Sequence, residues 1–151
     1  VHASDLSTDA LELAQRNIEH LGLTSRVSLH QGDLLGAFDA PVFAGRVDLI
    51  ACNPPYISAA RRAALASEIA AHEPSLAFDG GALGVRILQR LVRDAPAFLR
   101  AGGWLVFEIG AVQGRAVADR LRADGRYDEI TPVSDATGEV RVLRARHRPS
   151  A

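Results

Sequence analysis

The 151-residue sequence predicts a doubly wound, mostly parallel α/β sheet that closes on a C-terminal antiparallel hairpin. Three observations predict it. Apolar runs of strand length alternate with stretches of helical period, the arrangement of a parallel sheet with crossover helices. Two strand-like runs then follow one another near the end, with only the Gly-containing loop 134–139 between them. Finally, acidic and amide side chains stand where the apolar runs stop, the edge of an open α/β sheet at which ligands bind.

Val1–Asp5 reads as a short strand ending in an acid. Ser7 is a good N-cap, and Asp9 lies in the first turn, where the helix dipole favours negative charge. Leu11, Ala14, Ile18 and Leu21 share one helical face, and Gly22 ends the helix. Val27–Gln31 is the next strand, followed by Gly32-Asp33-Leu34-Leu35 and a loop over 36–46. Val47–Cys52 has the unbroken apolar character of a buried parallel strand. Residues 59–71 are Ala-rich and helix-prone, and 72–84 read as an irregular loop. Val85, Leu88, Val92, Ala95 and Leu99 form a second helical stripe, which Pro96 should kink or restart near 92–96. Gly102-Gly103 turns the chain into the strand Trp104–Ile109; a helix over 113–123 and strands over 127–133 and 140–145 complete the pattern. One domain over 1–145, then a basic tail over 146–151, is the expected organisation.

Bulk composition excludes several classes. Apolar residues make up 48% and mean hydropathy is +0.05, ordinary for a globular domain. No apolar stretch approaches the ~20 residues of a membrane span, and the first residues form no leader. A lone cysteine, Cys52, fits a reducing, cytoplasmic setting, and its place inside a strand suits a packed thiol better than a nucleophile. Net charge is −1 and aromatics are 5%, against a domain that lives on nucleic acid. The histidines show no ligand-like spacing, so no metal is expected. Every basic residue is arginine, methionine is absent and the chain opens at Val1, which points to a piece of a longer protein.

The chemistry centres on Asn53-Pro54-Pro55-Tyr56, directly after the strand 47–52. Asn53 and Pro54 each precede a proline, which biases both away from helical backbone. Pro54 and Pro55 carry no N–H to compete for acceptors. An Asn53 side-chain oxygen and the Pro54 carbonyl can therefore accept both hydrogens of a planar –NH2 group, while Tyr56 offers a flat face to stack on it. A Pro-rich turn is the plainer account of Pro-Pro alone; Asn before and Tyr after favour a site.

Asn-Pro-Pro-Tyr in this setting resembles the signature of methyltransferases that modify amide or exocyclic amino nitrogens with S-adenosylmethionine. From about residue 3 to residue 145 the chain is most similar to the protein-glutamine N5-methyltransferases, which act on peptide-chain release factors. That resemblance implies a Rossmann-like class I methyltransferase sheet whose last strand runs antiparallel. It places the cofactor's ribose on Asp5, its adenine on Asp33 with Leu34 covering the ring, and Asn53 at the junction of cofactor and substrate. The substrate side falls to Asn53, Pro54, Pro55 and Tyr56, with Asn53 and Pro54 carrying the catalysis. Asp5 and Asp33 also have bland readings, as a helix-start turn and a turn acid beside glycine. Glu73-Pro74 and Gly80-Gly81 resemble the family's substrate-side loop, but Leu83 stands where the family has an acid. Glu108 ends its strand at the same edge, either lining the site or simply solvated, and Arg141, Arg144, Arg146 and Arg148 read as the charged edge of a sheet.

The family's first strand and its Gly-rich turn are missing and are expected before Val1. Two other readings compete with glutamine methylation: an adenine-N6 methyltransferase acting on DNA or RNA, which shares the four-residue motif, and a non-catalytic, truncated Rossmann-like module.

Overall fold

The computed structural model describes residues 1–38, 40–54, 86–110 and 113–149. The helix expected over 59–71, the loop over 72–84, Pro55 and Tyr56 all lie outside the described residues. The chain divides into two units, Val1–Phe43 and Ala44–Ala151.

The first unit is a β-α-β turn of chain. Strand β1 (His2–Asp5) runs parallel to β2 (Ser28–Gln31), with Asp5 opposite Gln31 at their C-terminal ends. Helix α1 (Thr8–His20) connects them. Ser7 caps it as expected: its hydroxyl accepts the Ala10 N–H at 3.3 Å, and Ile18 is the buried residue of the apolar stripe. The helix ends in a Schellman arrangement, Leu23 N–H to the Ile18 carbonyl and Gly22 N–H to the Glu19 carbonyl. Gly22 adopts φ +66°, a left-handed value that costs glycine nothing. Residues 36–46 are more ordered than the expected loop: a 3-10 turn spans Leu34–Ala37 and a short helix α2 spans Ala40–Phe43. Gly32 permits that turn, because a Cβ there would sit 2.7 Å from the Ala37 Cα.

The second unit holds a four-stranded sheet in the order β3-β4-β6-β5. Its elements are β3 (Val47–Cys52), α3 (Arg86–Asp94), β4 (Leu99–Glu108), α4 (Gly114–Asp124), β5 (Tyr127–Ser134) and β6 (Val140–His147). β3 and β4 are parallel; β6 runs antiparallel to both its neighbours, β4 and β5. The hairpin and the reversed last strand are therefore as the sequence predicts. The core is built from Leu88, Leu91, Val92, Leu105, Phe107, Ile109, Leu121, Tyr127 and Leu143, all at most 1% exposed.

Pro96 ends α3 where expected: the helix stops at Asp94 and a 3-10 turn covers Ala95–Ala97. Lacking an N–H, Pro96 cannot serve the Val92 carbonyl one turn back, and the Tyr127 hydroxyl donates to that carbonyl instead at 2.7 Å. Leu99, assigned to the helical stripe by its spacing, instead opens β4 opposite Val47, and the chain bulges before Trp104 pairs Leu49. Gly102 takes φ +76° in that bulge, and a Cβ on Gly103 would lie 2.9 Å from the Val47 carbonyl oxygen.

Three further expectations are corrected. Among the described residues β3 is covered on one side only: Ile50 is buried, Leu49 is 56% exposed, and its hydrogen bonds run to β4. The basic tail does not begin at 146, since Arg146 and His147 are strand residues paired with Trp104 and Tyr127. Nor are Arg141, Arg144 and Arg146 an edge, because β6 is an interior strand. Arg146 binds Asp128 and Glu129 on β5, Arg141 binds Glu108 on β4, and the Arg144 guanidinium lies 5.6 Å from the Trp104 ring centroid. Interior position puts acids and an aromatic within reach on either side, and that is what the arginines answer.

Candidate functional site

In the second unit a cleft of about 340 Å³ opens at the C-terminal ends of β3 and β4. Ala51, Cys52 and Asn53 line it from β3, Val106, Phe107 and Glu108 from β4, and Val142 from β6. The register explains the grouping. Cys52 pairs Phe107 at the last rung of the parallel ladder, so one step further along each strand stand Asn53 and Glu108. Neighbouring strands lie about 4.8 Å apart, which makes these two polar residues neighbours on an otherwise apolar rim.

Asn53 is exposed and Pro54, which follows it, is buried. Pro55 and Tyr56, expected to complete the acceptor site, lie outside the described residues, as do Glu73, Pro74, Gly80, Gly81 and Leu83. Cys52 lines the cleft, yet burial pushes its thiol up to about 11. It is therefore a neutral packing group at physiological pH and not a nucleophile.

Glu108 lines the cleft and is held there. Its Oε1 accepts from Arg141 Nη2 at 3.0 Å, and both side chains are about one-third exposed (33% for Arg141, 31% for Glu108). Just beyond it, Gln113 ties off the strand end: its side-chain oxygen accepts the Gly110 N–H at 3.0 Å while its own N–H donates to the Gly110 carbonyl at 2.9 Å. Gln113 is 7% exposed, a buried polar residue. Sequence reasoning found Glu108 at the strand end but not Arg141 as its partner, nor Gln113. Arg141 is 33 residues away in sequence, and only the reversed direction of β6 brings it alongside.

In the first unit Asp5 and Asp33 reach the same edge of the β1-β2 pair. β1 ends at Asp5, whose carbonyl accepts the Gly32 N–H at 3.0 Å, and Asp33 follows directly. The Asp5 Oδ1 accepts the Ser7 N–H at 2.8 Å, so the helix-start role is present. A carboxylate has about four acceptor sites, and one such bond leaves capacity for more. Asp33 occupies the N-cap position of the 3-10 turn without capping it through its side chain, and Leu34 beside it is held at φ +53°, an uncommon value for a branched side chain. Two exposed carboxylates at adjacent strand ends fit a nucleoside that presents hydroxyl and amino donors. The sequence did not foresee a second cluster in this unit. His2 Nδ1 lies 3.0 Å from His30 Nε2, with Phe38 and Phe43 packed edge-on around the two rings.

Solved structures place this architecture. The chain superimposes on a methyltransferase from Pyrococcus furiosus with a TM-score of 0.69 at 20% identity, covering 99% of this chain and 63% of that one. It matches a SAM-dependent O-methyltransferase from Thermotoga maritima with a TM-score of 0.67 at 12% identity, covering 100% and 51%. The fold is thus the α/β fold of methyltransferases.

Sequence comparison goes further. No family model matches the chain. It is 40% identical over 146 residues to the release factor glutamine methyltransferase of Thermosynechococcus vestitus (96% of this chain, 49% of that protein) and 44% identical over 144 residues to that of Cereibacter sphaeroides (95% and 50%). It is 49% identical over 119 residues to the ribosomal protein uL3 glutamine methyltransferase of Bradyrhizobium diazoefficiens (79% and 35%). By sequence the chain is similar to glutamine methyltransferases, and it spans about half the length, or less, of the curated relatives it matches. Among the described residues no helix is long and apolar enough to cross a membrane.

Proposed function

We propose that this chain carries the acceptor site of an enzyme that transfers a methyl group from S-adenosylmethionine to the side-chain amide nitrogen of a protein glutamine. The observation that carries the reading is Asn53-Pro54 at the end of β3, on the rim of a cleft otherwise lined by apolar side chains and Glu108. S-adenosylmethionine, when bound, supplies a methyl group already activated on a sulfonium. Asp5 and Asp33 would hold its ribose and adenine, with Leu34 against the ring.

The amide nitrogen is a poor nucleophile because its lone pair is delocalised into the carbonyl. The chain's contribution is therefore alignment and polarisation. Asn53's side-chain oxygen and the Pro54 carbonyl accept the two amide hydrogens, which fixes the plane of the group and gathers electron density on nitrogen. Ala51, Val106, Phe107 and Val142 make the surroundings of this acceptor pair largely apolar. The proton leaves to solvent after transfer.

Peptide-chain release factor is the proposed substrate, in line with the names of relatives aligned over nearly the whole chain. A second reading, ribosomal protein uL3, is favoured by the higher identity to a relative so named. Mass spectrometry after incubating the full-length protein with each substrate and labelled cofactor decides between them. A label on glutamine of one protein and not the other selects it. No glutamine label on either refutes the reaction. Tight, salt-sensitive binding of single-stranded nucleic acid would favour the adenine-N6 alternative instead, and absence of cofactor binding to the full-length protein would favour the non-catalytic one.

A further inference from the structure

We propose that Glu108, anchored by Arg141, is the residue that makes this cleft select an amide over a carboxylate, so that a glutamine enters and a glutamate is turned away. The inference rests on the reaction proposed above and adds a specificity-determining group to it.

Glutamine and glutamate side chains have the same shape, so an apolar cleft cannot separate them by volume. Separation must come from what the polar groups accept or repel. Asn53 can turn its amide either way, offering oxygen or –NH2, and so by itself can serve both side chains. The Pro54 carbonyl favours a donor but carries no net charge. Glu108 differs: as a carboxylate it only accepts, and it repels a second carboxylate. Its position is set by the ladder, one step past Cys52–Phe107 and beside Asn53.

Both amide hydrogens being taken by Asn53 and the Pro54 carbonyl, Glu108 acts on the ligand by its charge and not as a third acceptor. Arg141 keeps the carboxylate in place, binding it at 3.0 Å from the neighbouring strand β6. Val106, Phe107 and Val142, the wall next to it, carry no side-chain donor.

The test measures binding and transfer together, in the full-length protein. A peptide carrying one glutamine and its twin with glutamate at that position are titrated by calorimetry, and methyl transfer to the first is followed with the second as inhibitor. Wild type should prefer the glutamine peptide clearly. Glu108→Gln should reduce that preference by about tenfold, the scale of a like-charge contact partly screened by solvent. Glu108→Asp, which keeps the charge, should retain most of it, and unchanged thermal unfolding in both variants confirms the fold. A Glu108→Gln protein whose preference stays within about twofold of wild type overturns the inference, as does an Asp variant that loses the preference fully. If wild type neither binds nor methylates the glutamine peptide, the reaction itself is refuted, a result distinct from either of these.

Discussion

Replacing Tyr127 with phenylalanine removes one oxygen and keeps the ring, which makes it a clean probe of how Pro96 is accommodated. In α3 the Val92 carbonyl would ordinarily accept the N–H four residues on, and that residue is Pro96. The Tyr127 hydroxyl supplies the missing donor at 2.7 Å, and both residues are 1% exposed. Burial also raises the tyrosine's pKa well above its ordinary value, so the hydroxyl keeps its proton in any neutral assay. Without it, a buried carbonyl is left unsatisfied, at a cost of about 1–3 kcal/mol. At a urea dependence of about 1–3 kcal/mol per molar, a loss of about 2 kcal/mol lowers the midpoint by roughly 1 M with the slope unchanged. The stronger test is a cycle with Pro96→Ala, which restores an N–H at position 96. Tyr127→Phe should then cost at least ~1 kcal/mol less than it does beside proline, a coupling typical of groups sharing one partner. Equal cost in both backgrounds would show that the hydroxyl is not replacing the proline's missing donor.

Asn53→Ala should cut methyl transfer by at least ~10²-fold with cofactor affinity little changed; normal turnover would reduce the motif to a turn. Asp5→Ala should weaken cofactor binding by about 1.5–3 kcal/mol in calorimetry. Asp5→Asn serves as its control, since it can still accept the Ser7 N–H at the start of α1, and it should lose affinity without loosening the helix. Gly32→Ala should destabilise the protein by about 1–3 kcal/mol in chemical denaturation, because its Cβ would meet the Ala37 backbone at 2.7 Å. Cys52 should resist alkylation at pH 8, where a thiol with a pKa near 11 is only about one-thousandth thiolate, and its rate should climb as pH approaches 11; a rate already level by pH 9 would contradict the burial.

Much of this was legible in the chain because local rules governed it. Ser7 caps α1 and Gly22 ends it through contacts within a few residues, and Pro96 stops α3 by its own chemistry. The motif's place at a strand end followed from the apolar run before it. What the sequence hid was set by distant pairing. Apolar content made Val47–Cys52 look buried, but burial depends on what lies alongside, and Leu49 is exposed. The arginines of β6 looked like a solvated edge because alternation within one strand says nothing of its neighbours. Once β6 is known to lie between β4 and β5, the acids opposite them explain each pair. Glu108 was visible as a strand-end acid, but its anchoring by Arg141 required the register.

The strand order β3-β4-β6-β5 also dictates a sequence of events during synthesis. β5 is made before β6, yet it reaches the sheet only through β6. At on the order of 5–20 residues per second, the ribosome needs about a second to go from the end of β5 to the end of β6. In that interval β4 offers an open edge and β5 an unpaired strand. The hairpin of β5 and β6 closes in about 1–10 μs once both are exposed, far faster than synthesis proceeds. Its antiparallel ladder then presents β6 to the open edge of β4. β6, made after both its neighbours, is the strand that joins them, and slowing its delivery would lengthen the time for which both edges stand open.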